Sequence, residues 1–283
     1  MFKQFYYYIR SIKIEHTVFM MPFAIISAFF ADNGMINLEK FKWIILAMIF
    51  ARSAAMGFNR LIDAKFDKLN ARTKNREIPT GKLSVGGAVF FIILFSILFV
   101  YSSYELNLLS FILSIPALAI IFFYSYTKKF TAYSHLFLGL ALSIAPVGAW
   151  IAIRGTIELP AIFLAISVIL WTSGFDIIYS CQDMKFDKEH GLYSIPVKYG
   201  IKRALNLSSV LHLVMIAVLY VFGYYMVLEQ IYFVSLAIIT CILFIEHILI
   251  SEDNLSRVDV SFFTLNGIIS VVFAVMTIID VIY

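Results

Sequence analysis

The sequence predicts an all-α integral membrane protein of nine spanning helices, and three observations carry that prediction. Of 283 residues, 61% are apolar and only 14% are charged, against roughly 25% charged in an ordinary soluble domain. The mean hydropathy is +0.90. Apolar stretches of about 20 residues recur along the chain, the length a helix needs to cross a bilayer with every backbone group bonded internally.

In order, the spans are expected at 14–31, 42–59, 85–103, 106–125, 133–153, 159–179, 204–226, 230–250 and 260–282. The segment Met1 to Lys13 is aromatic and basic and runs into the first span, where Ser27 to Ala31 offers only a poor signal-peptide exit site. A retained span is therefore expected. The second span carries Arg52, a charge that hydrocarbon does not tolerate alone. It has two readings, a structural ion pair or a contact to an acidic substrate. Spans three and four, and again seven and eight, are joined by segments so short (102–107 and 227–230) that each pair must form an antiparallel hairpin. Asp176 falls inside or at the edge of the sixth span, where an ionised group is by default a functional candidate.

Net charge is a modest +4, but its distribution orients the chain. Of the 22 Lys and Arg, 18 fall before span one and in the segments 60–84, 126–132, 180–203 and 251–259, all on one side of the nine spans. Only Lys40, Lys42 and Arg154 fall on the other side, and Arg52 lies within a span. The positive-inside rule makes the first side cytoplasmic, placing the N-terminus and all chemically interesting loops there. The expected location is the inner (cytoplasmic) membrane.

Two of those loops repeat nearly the same phrase, D-A-K-F-D-K at Asp63 to Lys68 and D-M-K-F-D-K at Asp183 to Lys188. Each is followed by an Ile-Pro pair, Ile78-Pro79 or Ile195-Pro196, and then by Gly81 or Gly200. This hints at a weak internal repeat within one domain covering 1–283. In the first loop Asn59, Asp63 and Asp67 recur every four residues, so an amide oxygen and two carboxylates share one side of a helix end. Hard oxygen ligands of this kind suit Mg²⁺, which completes its shell with water and substrate phosphate oxygens. Arg72, Lys74 and Arg76 follow in a turn-rich stretch, and cations beside metal-binding acids are what a diphosphate requires. The plainer alternative is a solvated loop with ion pairs.

In the second loop Asp176, Tyr179, Asp183 and Asp187 are spaced to share a helical face, while Glu189 and His190 read as solvent contacts. A third element follows span four, where Tyr124 and Lys128 lie one turn apart and set a phenol and an ammonium where an anion could be held. His16 beside Glu15 reads as an interfacial residue. Cys181 and Cys241 have no metal-ligand spacing and read as packing residues. No glycine-rich phosphate loop, zinc spacing or nucleophile elbow appears, which argues against ATP-driven transport and hydrolase chemistry.

The run N59-R-L-I-D63-A-K-F-D67, the segment Y124-S-Y-T-K128 and the run D176-I-I-Y-S-C-Q-D183-M-K-F-D187, set on nine spans, resemble the UbiA superfamily of membrane prenyltransferases. The opening I14-E-H-T-V-F-M-M-P-F-A24 and the tail N70-A-R-T-K-N-R-E-I-P-T-G81 are most similar to its 4-hydroxybenzoate polyprenyltransferase branch, which includes enzymes of the futalosine route to menaquinone. The resemblance covers essentially the whole chain. It implies a helical bundle around a central cavity with cytoplasmic cap loops.

It also implies Mg²⁺ and the diphosphate of a polyprenyl donor bound by Asn59, Asp63 and Asp67 and by Asp183 and Asp187, with Asp176 and Tyr179 in the upstream part of the second motif. Tyr124 and Lys128 match the family's Tyr-x-x-x-Lys element. Arg60 stands where many members have Asp, which shifts how the anion is held. The implied reaction is electrophilic prenylation of an aromatic acceptor, a 4-hydroxybenzoate-like acid or a dihydroxynaphthoate, in quinone biosynthesis. In it Arg72, Arg76 and Lys128 offset the leaving charge and Asp176 is the candidate base. The two acidic motifs are expected to converge on one diphosphate. Alternatives within the family are haem, chlorophyllide or glycerol phosphate acceptors. Outside it stands a cation transporter, whose sites tend to lie at the midplane on broken helices rather than at helix ends. No nucleic-acid partner and no obligate protein partner are implied.

Overall fold

The computed structural model describes residues 2–13, 21–35 and 37–283. Among the described residues the regular structure is helical, with one isolated bridge between Ser251 and Asn254. Eight helices among these residues are long and apolar enough to cross a membrane. A shorter apolar helix, α2 at Met21–Ala31, occupies the later part of the first expected span. Residues 14–20, and with them Glu15 and His16, lie outside the described residues.

The chain is organised as two compact units, Met1–Thr17 with Leu38–Tyr126 and Val18–Asn37 with Thr127–Tyr283. The first contains α1 (Phe2–Ile12), α3 (Leu38–Asp67), α4 (Val85–Leu106) and α5 (Leu108–Thr127) up to Tyr126. The aromatic and basic lead-in, to which the sequence reading assigned no helix, is the amphipathic helix α1. Tyr8 is its anchor. The ring is fully buried, lies over Phe95 and against Phe91 at centroid distances of 5.6 and 5.0 Å, and donates its hydroxyl to the Ser53 carbonyl of α3 at 2.8 Å. Burying such a ring is worth about 2 kcal/mol, and the hydroxyl needs a partner once water is removed.

Gly57 makes this approach possible, because a Cβ at that position would run into the Tyr8 ring. At the other end of α1, Gln4 accepts from the Ser84 N–H at 2.9 Å and donates to the Lys82 carbonyl at 3.1 Å. Ser84 is in turn the N-cap of α4, its hydroxyl accepting from the Gly87 N–H at 3.1 Å. The helix α3 runs 30 residues, eight beyond the expected end of span two, because nothing from Arg60 to Asp67 is a glycine or proline that would stop it.

The second unit contains α2, α6 (Ser134–Arg154), α7 (Leu159–Ser180), a 3₁₀ turn at Cys181–Asp183, α8 (Met184–Glu189) and α9 (Ile195–Tyr199). It continues through α10 (Ile201–Tyr225) and α11 (Gln230–Leu249) to a π-turn at Val260–Leu265 that leads into α12 (Asn266–Ile282). Trp171 of α7 sits at its centre without exposure, 5.3 Å from the rings of both Phe23 and Phe175, and donates its indole N–H to Asn266 Oδ1 at 2.7 Å. Ser27 of α2 donates to the Pro146 carbonyl of α6 at 2.5 Å.

The N-terminus of α11 has no side-chain cap of its own. Asp280 of α12 supplies one, accepting from the N–H groups of Glu229 and Tyr232 at 2.7 and 2.9 Å, where the helix dipole also favours a carboxylate. That acid is structural. The Ile-Pro repeats differ locally, since Ile195 and Pro196 open α9 whereas Ile78 and Pro79 lie in a turn. Both nonetheless lead to a glycine at positive φ, +74° at Gly81 and +84° at Gly200, which an L side chain adopts only with strain.

Candidate active site

Asp63 and Asp67 occupy the last turns of α3, one turn apart, and both are buried, with 5% and 6% of their surface exposed. Burial of two carboxylates at such spacing demands nearby cations. The chain provides one by folding back on itself. Asn70 turns the backbone, accepting from the Arg72 N–H at 2.9 Å through its side chain, and buried Thr73 donates its hydroxyl to the Asp67 carbonyl at 3.2 Å. This returns Arg76, whose Nη1 donates to both Asp67 carboxylate oxygens at 2.7 and 2.8 Å.

Arg72 itself stays exposed. Arg60 donates its Nε to the Ser11 carbonyl of α1 at 3.1 Å, so the residue standing at a usual aspartate position anchors α1 to the acidic helix end. Asn59 and Arg52 are half-buried on α3. Tyr124, also half-buried, belongs to the end of α5 that docks on α3 through Phe58, whose ring lies 4.5 Å from Phe122 and 5.8 Å from Tyr126.

In the second unit Asp176 has a partner that the sequence reading did not find. His135 of α6 is buried, and its Nδ1 lies 2.7 Å from Asp176 Oδ2. The Ile195 N–H donates to His135 Nε2 at 3.4 Å, so in the neutral ring the proton sits on Nδ1 and points at the carboxylate. The pair links α6, α7 and the start of α9. A single histidine on an apolar helix carries no signal of this in one dimension; only the crossing of α6 and α7 reveals it. About a fifth of the Asp176 side chain remains exposed, 20% against 3% for His135.

Tyr179 packs against the π-turn, its ring 4.3 Å from that of Phe262 and tilted 39° to it. Asp183 and Asp187 are half-buried at the start of α8. The intervening 3₁₀ turn winds at about 120° per residue rather than 100°, so over three residues it rotates these two acids roughly 60° from the shared face that an unbroken helix would give. His190, read as a solvent contact, stacks on Phe186 at 4.0 Å and bonds to its carbonyl at 2.9 Å. The Lys128 segment joins this loop. The Tyr193 N–H donates to the Lys128 carbonyl at 2.8 Å, and the Leu192 N–H donates to that of Asp187 at 2.9 Å.

The structure thus brings Asp63, Asp67 and Arg76 together in one unit, and Lys128 beside the Asp187 loop in the other. Removing Arg76 leaves the buried Asp67 without its cation. Arg76→Ala is expected to destabilise the protein by about 2 kcal/mol, read as a lower midpoint of thermal unfolding in detergent, whereas Arg72→Ala leaves the midpoint unchanged.

A magnesium ion fits the donor set at α3. The donors are all hard oxygens, and Arg76 takes two of the roughly four lone-pair positions of Asp67, leaving others for a metal.

The profile of the UbiA prenyltransferase family matches residues 20–268 of the chain. The chain belongs to this family. Among relatives of the UbiA prenyltransferase, the 4-hydroxybenzoate octaprenyltransferase of Francisella tularensis subsp. mediasiatica is 30% identical over 216 residues, 76% of this chain and 74% of that protein. The apo structure of a UbiA homologue from Aeropyrum pernix K1 matches with a TM-score of 0.85 at 30% identity, covering 94% of this chain and 98% of that one. A UbiA homologue from Archaeoglobus fulgidus, solved with DMAPP and Mg²⁺, matches with a TM-score of 0.75 at 22% identity over 97% and 98% of the two chains, a likeness of fold. The protein is accordingly an all-helical membrane prenyltransferase.

Proposed function

We propose that this prenyltransferase moves a polyprenyl group from a polyprenyl diphosphate to an aromatic acceptor of the 4-hydroxybenzoate or dihydroxynaphthoate class, in the cytoplasmic membrane, with its motif loops on the cytoplasmic side. The observation that carries the reading is the array of buried Asp63 and Asp67 with half-buried Arg76 at the end of an apolar helix. Acids beside a fixed guanidinium suit a metal-bridged diphosphate, and the adjoining apolar helices suit a prenyl chain. The Francisella relative's name and the DMAPP and Mg²⁺ of the Archaeoglobus homologue agree with this choice.

Asn59, Asp63, Asp67, Asp183 and Asp187 hold magnesium in this reading. When bound, the ion neutralises charge on the diphosphate and makes it a better leaving group. Arg72, Arg76 and Lys128 offset the charge that grows on the diphosphate oxygens as the allylic C–O bond breaks. Tyr124 orients the headgroup. A ring carbon of the acceptor forms the new bond, and its proton passes to Asp176. His135 holds that carboxylate in place from one oxygen.

The test is to incubate membranes containing the protein with labelled polyprenyl diphosphate and a panel of acceptors. Prenylated 4-hydroxybenzoate or dihydroxynaphthoate is expected with Mg²⁺, none with EDTA, and recovery on adding Mg²⁺ back. Product only with haem, chlorophyllide or glycerol phosphate would move the acceptor class, and cation flux without any product would replace the enzyme by a transporter.

A further inference from the structure

Away from the motif acids, the second unit contains His212 of α10 and Glu246 and His247 of α11. Among the described residues, these three form the one group of His, Cys, Asp or Glu side chains whose ligand atoms all lie within 4.8 Å of one another. His212 and Glu246 are buried, with 2% and 0% of their surface exposed.

The hydrogen bonds around the group assign its protons. His212 Nε2 lies 3.3 Å from the Trp171 carbonyl, which only accepts, so Nε2 bears the hydrogen and Nδ1 of the neutral ring bears a lone pair. Ser209 donates its hydroxyl to the Leu205 carbonyl at 3.1 Å. With that proton on the Leu205 carbonyl, the Ser209 oxygen accepts from His247 Nδ1 at 3.1 Å, which leaves a lone pair on His247 Nε2. Glu246 Oε1 accepts from the Ser261 hydroxyl at 2.6 Å and from the Asn266 amide at 3.1 Å. Its other oxygen, Oε2, is buried without a hydrogen-bond donor.

Three acceptor atoms consequently face one another. His212 Nδ1 is 3.0 Å from His247 Nε2 and 3.7 Å from Glu246 Oε2. Lone pairs at such distances in an apolar interior repel unless a cation lies among them. We propose that His212 Nδ1, His247 Nε2 and Glu246 Oε2 bind a divalent transition metal ion of the zinc class, which ties α10 to α11 inside the second unit.

The distances suit that ion. Tetrahedral zinc with bonds of 2.0–2.1 Å sets its ligand atoms about 3.3 Å apart, between the two separations observed here. Two imidazoles with one carboxylate favour such a metal over magnesium, which takes oxygen and dehydrates reluctantly. The surroundings are those that orient metal ligands, since each imidazole gives its remote N–H to a carbonyl or hydroxyl and the carboxylate accepts two further bonds. Gly174 of α7 leaves the room that the His212 ring occupies, because a Cβ there would collide with the ring.

The rival occupant is a proton shared by the two rings. Full-length protein in detergent, equilibrated with Zn²⁺ in a large excess of Mg²⁺ and then desalted, is expected to retain about one Zn²⁺ per chain. With Co²⁺ instead, it is expected to show the visible ligand-field absorption of a four-coordinate site. Glu246→Gln and His247→Gln should lose both signals, whereas Asp63→Asn, which alters only the oxygen-rich motif, should keep them. Wild-type protein that retains no Zn²⁺ and shows no Co²⁺ absorption has a shared proton there instead, and a Glu246→Gln variant that binds as the wild type does also overturns the site. If the variants fail to insert, X-ray absorption on the Zn²⁺-loaded wild type decides, because a first shell lacking imidazole rejects the assignment.

Discussion

Asp63→Asn is expected to lower prenyl transfer by roughly 10³-fold, the scale on which a single group that stabilises developing charge acts, while protein level and membrane insertion hold. The substitution keeps the shape of the side chain and removes its charge. Asp63 is buried within one turn of Asp67, so its ionised form carries a desolvation cost that an amide does not. A carboxylate kept only for structure would lower thermal stability when neutralised. One kept for magnesium and diphosphate should leave the unfolding midpoint unchanged or raise it while activity collapses.

Asp183→Asn is expected to show the same split at the second motif. Assaying both variants over a range of Mg²⁺ concentrations separates weakened metal binding, which excess metal partly rescues, from loss of a group needed in the transition state. Turnover retained in either variant removes that carboxylate from the mechanism.

The second large effect is expected on the same helix, at a glycine six residues before Asp63. Gly57→Ala places a Cβ where the Tyr8 ring lies, and forcing a group into a packed interface costs about 1–3 kcal/mol. The consequence reaches the candidate site through α1. When Tyr8 is pushed out, its bond to the Ser53 carbonyl is lost, and the Ser11 carbonyl that accepts from Arg60 moves with the helix. The variant should therefore lose thermal stability and, with it, about tenfold or more of its activity, the loss that displacement of a positioning group by about 1 Å readily produces.

The hydroxyl and neighbouring ring atoms of Tyr8 are what the new methyl meets, so adding Tyr8→Phe should return part of the loss. A double-mutant cycle measures this directly. Strictly additive effects would mean that the two residues do not meet as described.

Most span boundaries were legible because the period and length of apolar segments are local properties. The hairpin expected at 227–230 appears between α10 and α11, and the span expected at 159–179 is α7 at Leu159–Ser180. Helix α1 was not legible, because eleven residues, seven of them aromatic or basic, lack the length of a span and bury their apolar face only when Tyr8 meets α3 and α4. The 3₁₀ turn at Cys181–Asp183 was missed for a related reason, since no glycine or proline marks it.

At the candidate site, the spacing of Asp63 and Asp67 placed both on one helical side in advance. Arg76 was expected to serve the same anion, but its hold on both Asp67 oxygens depends on the turn at Asn70 and Thr73.

By itself, then, the sequence determined that the chain lives in a membrane, roughly where most of its long helices lie, and that its acids sit in two similar phrases resembling those of one enzyme family. These are consequences of composition and short-range spacing, which any helix expresses without its neighbours. Tertiary structure alone decided that His135 holds Asp176, that Asp280 caps α11, and that two histidines and a glutamate turn their lone pairs toward one point. The reason is physical: a buried polar atom must find its partner wherever packing brings one, and packing joins residues that the chain keeps tens of positions apart.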